Sequence, residues 1–229
     1  MVYPGIRIPA MKPATASMIF LHGIGDSGKG WKFLAEEAQK SPKLQHINFI
    51  FPDAPLKPVT MNFGMTMPAW YDFKTLEDVN HQPDEAGIIS SLDILKSLIH
   101  EENSKGIPST RIIIGGFSQG SVVALTTAVT TETKLAGVVC LSGYLGIQQK
   151  LQSLKSGVNC KIPIFLGHGT ADNVIKLELG QNAYKALKQD FGFENAELHI
   201  YKNLVHSVSP EELGEIFNFV DRVVGNEER

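Results

Sequence analysis

Cysteine is nearly absent from this chain of 229 residues, which carries only Cys140 and Cys160. Two distant thiols make neither a disulfide framework nor a cluster with metal-ligand spacing, so no metal or other cofactor is expected. Cys140 lies in the apolar run 135–141 and reads as a buried small hydrophobe. Cys160 reads as an exposed thiol without an evident role. Long hydrophobic runs are missing as well: the apolar stretch 16–21 is far too short to span a bilayer. Charge of one sign is also lacking, since 21 Lys and Arg stand against 24 Asp and Glu for a net charge of −3. With the basic residues scattered, nucleic-acid binding is not expected. Met1 is followed by Val2 and no cysteine lies near either terminus, so no myristoyl or prenyl anchor is expected. No internal repeat and no Pro, Ser or Gly linker divides the chain. Its 43% hydrophobic content suffices for one α/β domain over 1–229, with a core from about 17 to 224.

Strand-like runs at 17–22, 47–51, 111–116, 135–141, 162–168 and 196–201 alternate with helical stretches at 29–40, 86–103, 119–130, 178–190 and 210–224. Ile88, Leu92, Leu95 and Ile99 share one helical face, as do Leu213, Ile216, Phe217 and Val220. Alternation of this kind predicts a mostly parallel sheet covered by helices on both faces, with the site at the carboxyl ends of the strands.

One of these runs ends in a serine. Arg111-Ile-Ile-Ile-Gly-Gly-Phe-Ser118-Gln-Gly120 is a β-branched strand closing on Gly116-Phe117-Ser118-Gln119-Gly120, followed by an apolar stretch suited to a buried helix. G-x-S-x-G after a strand and before a helix is the nucleophile-elbow pattern of α/β-hydrolases. The turn holds its serine in strained dihedrals, and glycine is needed on both sides because the flanking residues come close together.

A serine nucleophile needs a base and an acid, which in this fold follow it in the order Ser, Asp or Glu, His. The histidines after Ser118 are His168, His199 and His206. His168 closes a strand and His199 sits within an alternating one, where a structural role is expected. His206 lies between a strand and the last helix, whose start is marked by Ser209 as N-cap, Pro210 at the first position and Glu212 completing a capping box. His206 is the expected base. Asp172, just beyond the strand at 162–168, is the expected acid. Asp190 ends a helical stretch and Glu178 begins one, so both read as ordinary surface or helix-end charges. The expected oxyanion donors are the backbone N–H groups of Gln119 and of Ile24, in the glycine-rich loop after the first strand. That loop also fits G-x-x-x-x-G-K from Gly23 to Lys29, but Gly30 stands where a P-loop needs Ser or Thr for Mg²⁺.

Taken together, Phe20-Leu-His-Gly-Ile-Gly-Asp26 with Gly30-Trp31, Pro52-Asp-Ala-Pro55, Met67-Pro-Ala-Trp-Tyr-Asp72, Gly115-Gly-Phe-Ser-Gln-Gly120, Leu141-Ser-Gly143, Gly167-His-Gly169 with Asp172, and Val205-His-Ser207 resemble the acyl-protein thioesterases. These are cytosolic carboxylesterases also called lysophospholipase-type. The resemblance spans about 17–224 and implies an α/β-hydrolase fold with Ser118, Asp172 and His206 as the triad. It implies hydrolysis of palmitoyl thioesters on protein cysteines, with activity on lysophospholipids and simple esters as the alternative and a catalytically silent binding module as a remote one. S-acylated proteins are then the partners, with transient membrane-surface contact, a monomeric or weakly dimeric state, and a cytoplasmic, also nuclear, location.

The chain departs from the family where Asp172 is followed by Asn173-Val-Ile-Lys176, since the family usually has proline at both ends of that stretch. The segment 59–73 is rich in methionine and aromatics without a helical stripe. It reads as a loop or short strands with one apolar side, and Met65, Trp70 and Leu177 are the expected acyl-binding residues, with core packing the simpler role for Trp70 and Tyr71.

Overall fold

The computed structural model describes residues 3–75, 79 and 82–225. Its sheet is explained by alternating burial. In β2 (Ala16–Leu21), Met18 and Phe20 join one core and Ile19 and Leu21 the other; in β6 (Ile112–Phe117), Ile113 faces opposite to Ile112 and Ile114. Because both faces are covered, these strands read as unbroken apolar runs. With β1 (Gly5–Ile8), β3 (Ile47–Pro52), β7 (Gly137–Leu141), β8 (Ile164–Gly169) and β9 (Ala196–Tyr201) they form a seven-stranded sheet in the order β1-β3-β2-β6-β7-β8-β9. Every pairing is parallel except that of β1 with β3.

Helices α1 (Lys32–Ala38) and α6 (Pro210–Val224) cover the face that carries Met18 and Phe20. The opposite face is covered by α2 (Glu85–Ser104), α3 (Gln119–Thr130), α4 (Gln148–Leu154) and α5 (Leu177–Gln189). From Gln119 to Val129 every residue of α3 is buried, as expected for a helix apolar all round. The α/β-hydrolase architecture expected from the sequence is present, with strand and helix limits shifted by a few residues.

Two strands, β1 and β4, and a helix, α4, lie outside the expected elements. β1 and α4 are too short for periodicity to register. β4 (Leu56–Val59) and β5 (Met65–Pro68) form a separate antiparallel hairpin, from Leu56↔Pro68 to Val59↔Met65, with β5 inside the segment 59–73 read as a loop or short strands and β4 mostly before it. The helix expected at 29–40 begins as a 3-10 turn over Gly28–Trp31 before α1 takes over.

The start of α6 differs from expectation in one respect. Ser209 caps it, accepting from the Glu212 N–H at 3.1 Å, and Pro210 occupies the first turn. The reciprocal half of the capping box is not closed: Glu212 is 1% exposed and both carboxyl oxygens lack a hydrogen-bond partner among the described residues. Burial pushes its pKa up to about 7 and the Glu215 charge adds to the rise, while the Ser209 N–H, which makes no well-formed hydrogen bond to the carboxylate, still pulls it back. A raised folded-state value means the folded protein binds more protons than the unfolded chain between pH 4.5 and about 7. The penalty is therefore absent in acid, grows across that window and is complete above it. Glu212→Gln removes the titration, so its stability relative to wild type is expected to improve by about 3 kcal/mol between pH 4 and pH 8. Urea unfolding at several pH values measures this, and a difference independent of pH would contradict it.

Candidate active site

Ser118 sits at the carboxyl end of β6 with φ 54° and ψ −118°, in the positive-φ region that side chains disfavour. Such strain costs of order 1–3 kcal/mol and persists only when the surroundings over-determine it. Here the Ser118 N–H donates to Leu141 O at 2.9 Å, and its own carbonyl accepts from Ser121 N at 3.0 Å. Ser121 stands beneath the turn, its Oγ placed between Gly116 O and Leu141 O while accepting from Leu141 N. A Cβ on Gly116 would strike the Gly120 carbonyl, as expected. At Gly120, however, the collision would be with the Leu21 and His22 carbonyls at the end of β2. The second glycine thus admits the neighbouring strand.

Asp172 and His206 lie in the loops after β8 and β9. Those loops are stitched together by Thr170 N→Tyr201 O, Ala171 N→Leu204 O and Asn203 N→Thr170 Oγ1. His206 Nδ1 donates to Asp172 Oδ2 at 2.8 Å, while Asp172 Oδ1 accepts from Val174 N and Ile175 N at 2.9 and 2.8 Å. Burial opposes ionisation of Asp172, but the bond and charge of His206 and these two N–H groups outweigh it, holding the carboxyl below its ordinary pKa. With Nδ1 committed to the carboxylate, Nε2 is left as the acceptor of the imidazole. The His206 ring packs on Phe117, the residue before the serine, with ring centroids 4.6 Å apart. No hydrogen bond joins Ser118 Oγ to His206 in this state; such contacts commonly tighten only with substrate bound.

Gln119 is the first residue of α3, so its N–H has no intrahelical acceptor. Across from it, a Cβ on Gly23 would lie 3.3 Å from Ser118 Cβ, which puts the Gly23–Ile24 peptide beside the serine. The Ile24 N–H has no acceptor among the described residues. The loop is held by His22, whose Nε2 accepts from Ala54 N at 3.0 Å; Nδ1 must then carry the proton it donates to Gly23 O at 2.6 Å. Burial lowers the pKa of His22, against the raising effects of the Gly23 bond and of Asp26 and Asp53, and favours this neutral form. Carboxylates fill the rest of the loop: Gly28 N donates to Asp53 and Trp31 Nε1 to Asp26. Lined by its own acids, the loop does not form a phosphate cradle.

The structure brings Ser118, Asp172, His206, Gln119 and Ile24 to one edge of the sheet. The three residues expected at the acyl chain differ from one another in burial. Met65 lies exposed on β5 and Leu177 is half-buried at the first turn of α5. Trp70 is wholly buried, its Nε1 donating to His22 O, so it supports the oxyanion loop and does not line a groove. His199 pairs with Glu215 at 2.8 Å and stacks on Phe165, away from the serine, and Cys140 is buried.

Two further histidines back the site: His168, set aside above as the base, and His22, for which the sequence suggested no role. His168 is 2% exposed; its Nε2 donates to Ile175 O at 2.7 Å and stands 3.7 Å from Asp172 Oδ2, backing the loop that carries the acid. Burial lowers its pKa too, against the Ile175 bond and the Asp172 charge. His22 does the equivalent work behind Ile24. The available signal was a His-Gly pair, His22-Gly23 and His168-Gly169, at the ends of two strands.

Comparison with known proteins agrees with this geometry. The family profile described as phospholipase/carboxylesterase matches residues 6–224. Acyl-protein thioesterase 1 of Yarrowia lipolytica is 49% identical, covering 96% of each chain. Acyl-protein thioesterase 1 of Saccharomyces cerevisiae is 41% identical over 95% of this chain and 97% of its own. The crystal structure of Zea mays acyl-protein thioesterase 2 superposes with a TM-score of 0.85 at 29% identity, over 97% of this chain and 100% of that one. The chain belongs to the phospholipase/carboxylesterase family of α/β-hydrolases, together with the acyl-protein thioesterases.

Proposed function

We propose that the protein is a serine hydrolase that removes long-chain acyl groups from protein cysteines through an acyl-serine intermediate. The observation that carries the reading is the Asp172–His206 bond beside the strained Ser118 turn, with two unpartnered backbone N–H groups next to it. The names of the relatives supply the substrate class. Ser118 Oγ attacks the thioester carbonyl while His206 Nε2 takes its proton, and Asp172 stabilises the imidazolium. The oxyanion is received by Ile24 N–H and Gln119 N–H. Collapse breaks the C–S bond; a thiol of pKa about 8.5 leaves with less need of protonation than an alkoxide. Water, deprotonated by His206, then attacks the acyl-serine and releases the fatty acid.

The substrate's acyl chain gains roughly 0.8 kcal/mol per buried CH₂, but a bilayer offers a similar gain, so the protein must compete with lipid. The β4–β5 hairpin supports approach to a lipid surface: Phe63 at its tip is 96% exposed, Leu56 71% and Met65 54%. Lysophospholipid hydrolysis is the second reading, favoured by the family's phospholipase description. Side-by-side rates on palmitoylated protein, lysophosphatidylcholine and short esters separate the two. The unpaired cysteines suit the reducing cytoplasm proposed as its location.

Ser118→Ala is expected to lower hydrolysis by a factor on the order of 10⁶ and to abolish fluorophosphonate labelling. His206→Ala should be about as severe and His199→Ala mild; the reverse order would assign the base to the wrong histidine. Hydrolysis should survive EDTA, whereas loss in EDTA restored by Zn²⁺ would overturn the serine mechanism.

Lys176 has φ −56°, within the range of proline, and its N–H makes no hydrogen bond among the described residues. Lys176→Pro should therefore fold and turn over a short soluble thioester within a few-fold of wild type. Lysine can lay its stem along apolar surface and keep its ammonium in water, where one charge near an anionic membrane is worth up to about 1 kcal/mol. The variant should lose activity on palmitoylated substrate presented on anionic vesicles, and salt should shrink the loss. Equal effects on both substrates would mean that Lys176 acts through the geometry of the acid loop.

A further inference from the structure

We propose that the side chain of Gln119, apart from its backbone N–H, is a positioning group that sets the two halves of the oxyanion hole against each other. The proposal rests on the assignment of Ser118 as nucleophile and of the Gln119 and Ile24 N–H groups as donors. Those donors belong to separate parts of the chain, one at the start of α3 and one in the loop after β2. Backbone continuity does not fix the distance between them. A third segment, Pro68–Tyr71, bonds to both. On one side Gly25 N donates to Pro68 O and Trp70 Nε1 to His22 O, each at 2.8 Å, so the strap holds the residues on either side of Ile24. On the other side Gln119 Oε1 accepts from Trp70 N at 2.8 Å and Gln119 Nε2 donates to Tyr71 O at 2.6 Å.

The Gln119 carboxamide thus pairs with the strap as a neighbouring strand would. It is 4% exposed, and among the described residues it is the only partner of the Trp70 N–H and the Tyr71 carbonyl. These are buried groups that water does not readily satisfy. The strap is seated from beneath by Ser91 Oγ and Lys57 Nζ, which both donate to Trp70 O. It also continues directly from β5, whose partner strand ends near the exposed tip at Phe63. The same amide therefore joins the nucleophile turn to the β4–β5 hairpin.

Glutamine is needed here because the strap presents one donor and one acceptor. Methionine keeps the length and removes both bonds. Glutamate keeps the acceptor for Trp70 N–H, but when ionised it opposes a second acceptor to Tyr71 O; only its protonated form restores a donor. Burial beside a carbonyl raises the pKa of such a carboxyl.

The test measures kcat on a short soluble thioester, per active site counted by exhaustive fluorophosphonate titration, for wild type, Gln119→Met and Gln119→Glu. Removal of a whole oxyanion donor costs roughly 10²–10³ in kcat, so a displaced pair of donors is expected to cost about tenfold or more in Gln119→Met. The Gln119→Glu to wild-type ratio should rise several-fold as pH falls from 8 to 6, while the Gln119→Met ratio stays flat; dividing by wild type removes any pH dependence the proteins share. If the amide only stabilises the fold, melting temperature and titratable fraction fall but kcat per site remains within twofold for both variants with flat ratios, and the proposal is overturned. Should Gln119→Met not fold, the pH dependence of Gln119→Glu decides alone. Failure of wild type to take up the probe, or undiminished hydrolysis by Ser118→Ala, would instead remove the underlying assignment.

Discussion

The positive-φ backbone at Ser118 is the constraint on which the rest of the site depends. A strand entering a helix within one residue lifts the side chain off the sheet, and it forces the start of α3 against the end of β2. That contact brings the loop after β2 beside the serine, and with it the Ile24 N–H proposed as the second oxyanion donor. The strain is held from three directions: the Leu141 carbonyl on β7, the Ser121 hydroxyl beneath, and the tight seat of Gly120 on β2. Each of these belongs to a central element of the sheet, where local opening is most costly.

Electrostatics divide three histidines at the strand ends into two roles. His22 and His168 are buried, their pKa values lowered by lost hydration, and each uses its ring N–H on a backbone carbonyl. Neutral, they act as rigid spacers behind the oxyanion loop and the acid loop. His206 is less buried and paired with a carboxylate held ionised by three donors. The difference lies in burial and partners, since the side chain is the same in all three. Placing fixed neutral groups behind mobile charge means that little reorganisation is required as charge develops on the substrate oxygen.

The hairpin stands apart from this rigid centre. Leu56, Phe63 and Met65 on it are exposed, while the Ala69–Tyr71 stretch beneath is buried and tied to Gln119 through the Trp70 N–H and the Tyr71 carbonyl. A firm base under an exposed apolar tip puts an apolar surface and a support of the loop after β2 on one segment. Trp70 marks the transition: chemically suited to an acyl groove, it is instead the post on which the oxyanion loop rests.

Features set by near neighbours were readable in one dimension. The buried strands, the apolar α3, the Ser209 cap with Pro210, the glycine-serine turn and the order of Ser118, Asp172 and His206 all follow from periodicity or local turn chemistry. β1 and α4, each too short to show a period, emerged only with the partners that bury them. The unclosed half of the capping box at Glu212, the proton position on His22 and the burial of Trp70 likewise depend on residues distant in sequence. Gln119 shows both kinds of information. Its backbone N–H is dictated by the turn that contains it, whereas the task of its side chain is set by Trp70 and Tyr71, nearly fifty positions away, because a hydrogen bond depends on distance in space and leaves no periodic trace along the chain.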